Sequence, residues 1–459
     1  MSLPEPIVET IHYRLALVLP QSREVLAMMK VDGGYYLPYT KIPQWTRPAE
    51  QLQKAILTTW KLQVVVLAFL PPTEGHPICA VAEVLASNEA VDLVAVDVAH
   101  LSSGALGERQ RAQLKSVLDG GSGVGGPFSQ LGWMDEAIAW LESETGKRLS
   151  SRWKIEQYNA GRGFALVRFH MEDDAHYWLK ATGEPNAREF SVTTLLSALC
   201  GDCLPEIVAS RPSWNAWLMP EGATPVSDLP TEPMELFTFL ERAVECMADL
   251  QMKTRCSGLE LLRAGAFDQR IQVFKQHSGE LFDYIEEAMS LQSSTKSSPL
   301  GKKRLQEIHA TFEVACDNLE QLNACETIVH GDLNHGNILT GVGHCQFIDW
   351  SEAYVGNPLI SLQHLLLLNK TADPAIHHFI DSLLKERYLD RWGESNADAF
   401  RRGFIYSPML AIASTLYGRG DWLASSERND PHRQSYARSL ARHMDRADRD
   451  AQLLGSLCH

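Results

Sequence analysis

The sequence predicts an α+β fold in which two strand-rich segments precede a mainly helical second half. Short apolar runs separated by turn residues fill the first 100 residues and return between Trp153 and about Asp228. From Pro233 onward, apolar residues recur mainly at helical spacing, interrupted by short hairpins. A glycine-rich tract at residues 120–127 separates the two strand-rich segments. We therefore expect an N-terminal α/β domain at 1–101, a linker at 102–131, a β-rich lobe at 132–228 and a helical lobe at 229–459.

The amino-acid composition disfavours nucleic-acid-binding and membrane proteins. The 459 residues carry 42 basic and 57 acidic side chains, a net charge of −15, which disfavours a nucleic-acid-binding surface. No apolar run is long enough to span a membrane and no signal peptide is recognisable, so we expect a cytoplasmic protein without a membrane partner. Nine scattered cysteines fit reduced thiols. Cys200 and Cys203 are the only close pair, and a turn with two half-buried thiols is the favoured interpretation over a metal or redox site.

The first domain combines strands at 13–19, 25–29, 63–70, 78–85 and 92–98 with a helix from Pro48 to Trp60. A strand, a Gly33-Gly34 turn, a helix and a further strand resemble a Nudix-like fold. The metal-binding helix of that family carries clustered acidic residues, whereas residues 55–62 contain no carboxylate. Without such a cluster there is no Mg²⁺ site, so we expect a docking, cap or assembly domain rather than a hydrolase.

The linker composition favours flexibility over phosphate binding. Residues 120–127 contain five glycines and one proline, but no Gly-Lys-Ser/Thr ending follows and no apolar strand precedes them. A helix then opens at Gly132-Trp133 and continues through Thr145.

The β-rich lobe contains candidate nucleotide-binding residues. Lys180 ends an apolar strand, and Glu189 lies near the start of the following helix, so the two are candidates for an ion pair that holds a cation on phosphates. Gly161 and Gly163 lie about 17 residues earlier, where a hairpin would close over phosphates through its backbone N–H groups. The candidate hinge consists of Met219 to Glu221, whose backbone would contact the adenine edge.

The strongest functional signal is the run from His330 to Asn337 followed by Asp349. Asp332, Asn337 and Asp349 are separated by five and twelve positions, and short strands are predicted on either side of the loop. Phosphoryl transfer needs a carboxylate for the attacking hydroxyl, and an amide oxygen with a second carboxylate to hold Mg²⁺. A surface turn with incidental polar residues is the alternative, since Asp and Asn are common in turns.

These residues together resemble the aminoglycoside phosphotransferase family, small-molecule kinases with a bilobal, protein-kinase-like fold, over roughly residues 133–419. Residues 127–140 resemble a subgroup of this family in which a Nudix-like domain precedes the kinase. The resemblance implies that Asp332 is the catalytic base, that Asn337 and Asp349 bind Mg²⁺, and that Lys180, paired with Glu189, contacts the phosphates of ATP, with GTP as the open alternative. It implies that His330 supports the loop.

The resemblance leaves the acceptor open. Asn357 and Ser361 stand where the family often has acidic residues, which weakens a subfamily assignment. The acceptor would be a hydroxyl of an amino sugar, sugar, amino alcohol or aminoglycoside, with Trp350, Glu352 and Tyr354 as possible contacts. A non-catalytic nucleotide-binding module is the alternative. A protein kinase is disfavoured, because only a short segment separates Asp349 from the next predicted helix.

Overall fold

The structure is a computed structural model that describes residues 9–31, 33–44, 46–87, 92–120, 126–161, 163–222, 224–225, 230, 232–341, 345–418 and 426–457. The chain divides into two compact units. The first consists of Met1–Phe190 and Glu206–Glu221, and the second of Ser191–Pro205 and Gly222–His459. None of the described helices is both long and apolar enough to span a bilayer.

The N-terminal part of the first unit is built on a mixed sheet. Its described strands are β1 (Thr10–Val18), β2 (Val25–Met29), β3 (Tyr35–Tyr36), β4 (Tyr39–Pro43), β5 (Leu62–Leu70), β6 (Ile78–Ser87) and β7 (Val94–Val96). The main order is β3-β2-β1-β6-β5, with β4 paired to β1 and β7 paired to β2. The β1–β6 pair is parallel and the β5–β6 pair is antiparallel. The sequence interpretation omitted β4, a short strand that ends at a proline.

One helix packs directly on this sheet. Helix α1 (Pro48–Trp60) begins with a proline at a first-turn position, where no intrahelical N–H bond is lost, and buries Leu52 and Ile56. It ends at Lys61, which has a left-handed backbone with φ 55°. The adjoining β5 is an almost continuous apolar run that is buried along most of its length, as expected for a strand covered on both faces.

The segment predicted to be a linker contains ordered structure at both ends. Helix α2 (Glu108–Leu118) buries Leu114 and Leu118, and the side chain of Phe128 is 2 % exposed. Residues 121–125 of the glycine-rich tract lie outside the described residues. The apolar positions of α2 are few and widely spaced, which explains why composition alone suggested a linker throughout.

A second sheet completes the first unit. Helix α3 (Trp133–Thr145) is followed by β8 (Ile155–Ala160), β9 (Ala165–His170), β10 (His176–Ala181), helix α4 (Arg188–Cys200), β11 (Ala209–Arg211) and β12 (Ala216–Pro220). The strands are antiparallel in the order β11-β12-β10-β9-β8. The boundary between the two units falls within α4, after Phe190.

Buried glutamines join the two sheets of the first unit. Gln157 of β8 donates from Nε2 to the Val66 carbonyl at 2.9 Å and accepts from the Val66 N–H at 2.7 Å. Gln53 of α1 donates to the Ile155 carbonyl at 3.0 Å and accepts from the Gln157 N–H at 3.1 Å. Apolar residues of both sheets also belong to one buried cluster. The N-terminal domain and the β-rich lobe therefore share a core.

The second unit is mainly helical. Its described helices are α5 (Pro233–Thr254), α6 (Gly258–Ala264), α7 (Ile271–Gln276), α8 (Ser278–Ser290), α9 (Lys302–Gln321), α10 (Pro358–Leu368), α11 (Pro374–Trp392), α12 (Glu394–Gly403), α13 (Ser407–Tyr417) and α14 (Pro431–Leu457). Helix α10 is buried around nearly its whole circumference, which explains its run of leucines. Asn357 caps α10 by accepting from the Leu359 N–H at 3.0 Å, a role that an aspartate also fills.

Two small sheets hold the loops of this unit. Their strands are β13 (Thr224–Pro225), β14 (Phe267–Asp268), β15 (Thr327–Val329), β16 (Ile338–Thr340), β17 (Cys345–Phe347) and β18 (Tyr354–Gly356). The first sheet has the order β13-β16-β17 and the second the order β14-β18-β15. The predicted turn between β16 and β17 falls partly on residues 342–344, which lie outside the described residues.

Candidate active site

Asp332 lies on the loop between β15 and β16, held by two asparagines of the same loop. Asn334 Nδ2 donates to Asp332 Oδ1 at 2.8 Å. Asn337 Nδ2 donates to the backbone oxygen of Asp332 at 2.8 Å and lies 3.1 Å from Oδ2. Each carboxylate oxygen thus has one loop donor and retains acceptor capacity for a further hydroxyl. The sequence analysis assigned no role to Asn334, although it belongs to the same motif.

His330 connects this loop to the strand that leads to Asp349. Its Nε2 donates to the Ile348 carbonyl at 2.8 Å, and its Nδ1 lies 3.4 Å from the Asp332 N–H, which donates to it. These contacts assign the neutral tautomer with the proton on Nε2. The ring is 2 % exposed. His330 therefore links the backbone at Asp332 to that at Ile348.

A second buried histidine, which the sequence analysis missed, supports the loop from α10. His364 Nδ1 donates to the Gly331 carbonyl at 2.6 Å, and the Tyr354 hydroxyl lies 3.5 Å from its Nε2. Ser414 Oγ of α13 lies 2.7 Å from the same hydroxyl. Burial lowers the pKa of His364 to about 4, although its contact with Gly331 and the charge of Asp332 oppose this shift. His364 is thus neutral at physiological pH.

Asn369 supplies a further support. Its Nδ2 donates to the Leu333 carbonyl at 2.7 Å and to the Leu365 carbonyl at 2.8 Å. The side chain is 1 % exposed. Neither Asn369 nor His364 stands in a recognisable motif, because both occur beside or within an apolar helical run. Only the folded chain places them beside the loop that carries Asp332.

Asp349 follows β17 and has an unusual backbone. Its φ of 67° and ψ of 68° lie in the left-handed region, which Asp and Asn tolerate better than most residues. The preceding Ile348 N–H donates to the Asn337 carbonyl at 3.1 Å. The hairpin of β16 and β17 therefore joins the backbones that carry Asn337 and Asp349, within the same unit as Asp332. Non-glycine residues in this conformation are often found at functional sites.

Gly331 permits a close approach beside Asp332. Its φ is 84°, and a Cβ atom built on it would lie 2.5 Å from the Glu352 carbonyl oxygen. A side chain here would displace the loop or residues 350–352. Glycine is therefore required by both conformation and space.

The three possible acceptor contacts have different environments. Glu352 is exposed. Trp350 and Tyr354 are each 2 % exposed. The Trp350 ring lies 4.4 Å from the His330 ring between centroids, and Tyr354 belongs to the His364 network. Burial thus gives both aromatic rings a packing role, which corrects the expectation that they face an acceptor.

Tyr436 is a further residue near these charges that the sequence analysis did not single out. It lies on α14 and is 50 % exposed. Burial and then the charges of Glu352 and Asp332 raise its pKa. An aromatic ring on the last helix therefore experiences the field of the candidate catalytic carboxylate.

The donor chemistry around Asp332 suits a hard cation. Asn337 uses its amide nitrogen on Asp332, so its side-chain carbonyl oxygen would be the group that binds a metal, and Asp349 would supply a carboxylate. Oxygen ligands of this kind suit Mg²⁺, which usually takes one or two carboxylates together with phosphates and water. Among the described residues, no group of three or more His, Cys, Asp or Glu side chains is arranged to hold a metal ion. One amide oxygen and one carboxylate would leave the other positions around such a cation to phosphate oxygens and water.

The first unit brings Lys180 and Glu189 together. Lys180 Nζ lies 2.5 Å from Glu189 Oε1, and their side chains are 18 % and 2 % exposed. Lys180 is the penultimate residue of β10, and Glu189 lies in the first turn of α4. The ammonium also lies 5.8 Å from the centre of the Trp217 ring. The contact gives the lysine a defined position at the end of the strand.

Gly163 has a packing function in the same unit. A Cβ on Gly163 would lie 2.7 Å from the Gly183 Cα, and one on Gly183 would lie 2.4 Å from the Gly163 Cα. A Cβ on Gly161 would meet the Phe164 ring at 3.3 Å. The loop after β8 is therefore packed closely against the segment after β10, and Arg162 between the two glycines lies outside the described residues. Phosphate binding by this loop stays a prediction.

Part of the candidate hinge is hydrogen-bonded within the sheet. The Glu221 N–H donates to the His176 carbonyl at 2.9 Å, and Met219 faces Trp178 across the antiparallel β10–β12 pair. Because bonding direction alternates along a strand, the peptide groups of Met219 and Glu221 face β10. The Glu221 carboxylate accepts from Arg168 at 2.6 Å and from Trp178 Nε1 at 3.2 Å. The Glu221 N–H is therefore bonded to β10 and does not face an adenine edge, which corrects the expectation for this group. The Pro220 carbonyl points to the edge of β12 opposite β10.

Part of the second half of the chain is similar to a known protein family. Residues 227–402 match the family model described as "Phosphotransferase enzyme family". The match includes Asp332, Asn337 and Asp349, and it does not extend to Lys180. Over these residues the chain is therefore similar to that family. No curated protein matches the chain.

Several solved structures of small-molecule phosphotransferases are similar to this chain. A macrolide 2'-phosphotransferase from Brachybacterium faecium has 15 % identity and a TM-score of 0.42, covering 67 % of this chain and 97 % of its own. The GDP complex of aminoglycoside 2'-phosphotransferase-IIIa has 15 % identity, a TM-score of 0.45 and coverages of 68 % and 98 %. A choline kinase from Cryptosporidium parvum has 14 % identity, a TM-score of 0.47 and coverages of 70 % and 97 %.

Proposed function

We propose that the protein is an ATP- and Mg²⁺-dependent kinase that phosphorylates a hydroxyl group of a small polar metabolite. The observation that carries this proposal is the arrangement of Asp332 and Asn337 on one loop, joined through the β16–β17 hairpin to Asp349. The phosphotransferase-family match over residues 227–402 supports the same reaction class. We favour ATP over GTP as the donor.

Asp332 is the proposed catalytic base. Its carboxylate is oriented by Asn334 on one oxygen and Asn337 on the other, so a remaining lone pair is available for the acceptor hydroxyl. A base in a fixed position aligns the hydroxyl with the γ-phosphate and accepts its proton as the new P–O bond forms. His330, His364 and Asn369 hold the surrounding backbone, which reduces reorganisation during the reaction.

Asn337 and Asp349 are the proposed ligands of Mg²⁺. When bound, the metal would neutralise charge on the nucleotide phosphates. Asn337 contributes a neutral oxygen, and Asp349 contributes the negative charge at the end of its hairpin. The left-handed backbone of Asp349 sets the direction of its side chain.

In the first unit, Lys180 is the proposed phosphate contact and Glu189 fixes its position through their 2.5 Å contact. Gly161 and Gly163 are proposed to place backbone N–H groups on the phosphates, as far as their packing allows. For the adenine edge we retain the segment from Met219 to Glu221, with the Pro220 carbonyl as the group directed away from β10.

The proposed acceptor is an amino sugar, sugar, amino alcohol or aminoglycoside. Glu352 is exposed, and its charge acts on Tyr436 together with that of Asp332. A carboxylate and an aromatic ring are suited to a ligand that carries hydroxyl and ammonium groups. We propose Glu352 and Tyr436 as acceptor contacts and assign none to Trp350 or Tyr354.

The N-terminal domain is proposed to be Nudix-like without hydrolase activity. Glu50 is the one carboxylate of α1, and it forms a 2.6 Å salt bridge with Lys54 rather than joining an acidic cluster. The shared core and the buried glutamines support a structural role next to the β-rich lobe. We accordingly propose that it is an assembly or docking domain.

The kinase proposal is tested by comparing the wild-type protein with Asp332→Asn. ADP release would be measured with Mg²⁺-ATP against a panel of amino sugars, sugars and amino alcohols, and nucleotide binding would be followed by thermal shift. We expect turnover with one acceptor class, a loss of about 10²–10⁴-fold in Asp332→Asn, and retained nucleotide binding.

The matched control is Asp390→Asn, the same substitution at an exposed position of α11. It should retain wild-type turnover. Nucleotide binding with equal, negligible turnover in wild type and Asp332→Asn would favour a non-catalytic nucleotide-binding module. An absence of stabilisation by any nucleotide would overturn the site assignment itself.

A further inference from the structure

Four cysteines from three separate segments of the chain meet within the second unit. Cys200 ends α4, Cys203 lies in the turn that follows, Cys246 lies on α5 and Cys345 lies on β17. Cys200, Cys203 and Cys345 are buried, and Cys246 is partly exposed. The sequence showed only the Cys200–Cys203 pair, so the cluster is a product of the tertiary fold.

The contacts within the cluster form a chain. Cys200 Sγ lies 3.9 Å from Cys203 Sγ. Cys203 Sγ lies 3.6 Å from the Cys246 carbonyl, and Cys246 Sγ lies 3.0 Å from the Cys345 carbonyl. The thiol of Cys246 is therefore directed at a backbone acceptor, while Cys200 and Cys203 have their sulfur atoms in mutual contact.

The surroundings favour a thiolate at Cys203. A hydrogen bond from the Cys200 thiol and then the contact with Cys246 lower the pKa of Cys203; burial opposes this shift, and the charge of Lys253 supports it. The same contact with Cys203 raises the pKa of Cys200. Lys253 Nζ lies 3.4 Å from Asp202 Oδ2, between the two cysteines in sequence. Because the Cys200 thiol donates to Cys203 Sγ, Cys203 is the acceptor of the pair and the better nucleophile, and Cys200 is its proton donor.

We propose that Cys200 and Cys203 are a peroxide-oxidisable dithiol, with Cys203 as the reacting thiol and Cys200 as the resolving thiol. The Cys203 thiolate attacks one oxygen of hydrogen peroxide, breaks the O–O bond and releases hydroxide, which leaves a sulfenic acid. The Cys200 sulfur then attacks the Cys203 sulfur, and the sulfenic hydroxyl leaves as water with the Cys200 proton. In total, two thiols and one peroxide give one disulfide and two waters.

The spacing of the two cysteines supports this chemistry, and their burial restricts the oxidant to a small molecule. Residues three apart in a turn commonly fall in the Cα separation that a disulfide requires, about 4.4–6.8 Å. Side-chain rotation must then close the 3.9 Å contact to the ~2.05 Å of a disulfide bond. Because Cys200 and Cys203 are 1 % and 3 % exposed, a peroxide reaches them more readily than a bulky disulfide. No set of three or more His, Cys, Asp or Glu side chains in the described part of the chain is arranged for a metal ion.

The test uses the full-length reduced protein, treated with hydrogen peroxide, alkylated and digested with trypsin. Cleavage after Arg188 and Arg242 gives a peptide of residues 189–242 that contains Cys200 and Cys203 and no other cysteine, because Pro212 blocks cleavage after Arg211. We expect this peptide to lose two hydrogen atoms, to resist alkylation and to recover both thiols after reduction with dithiothreitol.

Two variants distinguish the reacting thiol, Cys203, from the resolving thiol, Cys200. Cys200→Ser should prevent the disulfide and leave a sulfenic acid at Cys203 that dimedone traps, whereas Cys203→Ser should give neither product. Cys316→Ser, at a buried thiol of α9, is the matched control and should oxidise like wild type.

Two results would overturn the proposal. One is full alkylation of Cys200 and Cys203 at a peroxide concentration that oxidises the exposed Cys256 and Cys325. The other is a cross-link from Cys203 to the peptide of residues 243–253, which would make Cys246 the resolving thiol. The mass measurement requires no turnover, so its outcome is independent of the proposed kinase activity.

Discussion

Asn337 Nδ2 lies 2.8 Å from the backbone oxygen of Asp332 and 3.1 Å from its carboxylate oxygen Oδ2. One side chain thus fixes both the backbone and the carboxylate of the proposed base. Because its amide nitrogen is occupied, Asn337 presents its oxygen to the opposite side. The proposed base and the proposed metal ligand are therefore positioned by the same contact, and disturbing either residue should affect both functions.

Replacing Asp349 by Asn should weaken Mg²⁺-ATP binding with little loss of folding stability. Asn tolerates the left-handed backbone at φ 67° but lacks the negative charge. We expect affinity to fall roughly 10-fold or more, about 1.4 kcal/mol, measured by titration with and without Mg²⁺. Asp349→Ala, which combines the charge loss with backbone strain, should also lower the melting temperature. Unchanged Mg²⁺ dependence in Asp349→Asn would contradict its role as a metal ligand.

Lys180→Met should destabilise the first unit more than the double variant Lys180→Met/Glu189→Leu. The single change removes the cation that lies 2.5 Å from a carboxylate that is 2 % exposed, and breaking a buried ion pair typically costs about 3–5 kcal/mol. The double change removes both charges, so part of this loss should be recovered. Denaturant unfolding measures the difference. Lys54→Met, at an exposed pair, should cost less than about 1 kcal/mol; an equal cost at both sites would argue against a buried pair.

Gly331→Ala should reduce turnover by displacing the loop that carries Asp332. The new methyl group would lie 2.5 Å from the Glu352 carbonyl oxygen in a backbone with φ 84°. We expect a lower kcat and a lower melting temperature, from steady-state kinetics and thermal unfolding. Gly279→Ala in α8 has no atom within 4 Å of its new Cβ and should stabilise the protein slightly. Wild-type turnover in Gly331→Ala would show that the loop does not require this approach.

His364 should make the second unit sensitive to acid. Its folded-state pKa of about 4 lies below the ordinary value of 6.5, because burial disfavours the charged ring. Above pH 6.5 the ring is neutral in both the folded and the unfolded chain, and the full free energy of unfolding is present. As the pH falls towards 4, the unfolded chain binds the proton first, so stability is lost. The loss amounts to about 3 kcal/mol over this interval.

The measurement is the free energy of unfolding between pH 7 and 4 for wild type and His364→Gln, in which the amide retains a donor for Gly331. The variant should show a shallower decline in this interval. His378→Gln, at an exposed position of α11, is the control and should follow the wild-type curve. Parallel curves for wild type and His364→Gln would refute a buried neutral histidine at this position.

Gln157→Ala should destabilise the junction between the N-terminal domain and the β-rich lobe. It removes the partners of the Val66 N–H and carbonyl, at a cost of roughly 1–3 kcal/mol for each buried group left unsatisfied. Thermal unfolding and limited proteolysis of the full chain should show an earlier transition in the first unit. Gln130→Ala changes an exposed glutamine and should have little effect. If both variants melt alike, the two sheets do not depend on this contact.

Much of the secondary structure followed from the sequence, because strong local signals coincide there. Helix α1 begins at Pro48 and α3 ends before Gly146, where proline and glycine mark helix ends. Strand β15 was predicted from its β-branched residues. Helix α2 was not expected within the linker, and β4 was not expected at all. Their apolar residues do not form a clear local pattern, and they are explained only by packing on the sheet.

The sequence by itself determined the residues of the candidate chemistry. Asp332, Asn337 and Asp349 are close in the chain, so their spacing and the flanking strands predict a shared site. Tertiary structure alone decided the support of that site by His364 and Asn369, the burial of Trp350 and Tyr354, the glutamine contacts between sheets and the meeting of four cysteines. The physical reason is that local spacing encodes motifs and element ends, whereas burial and contacts between distant segments arise only when the chain packs.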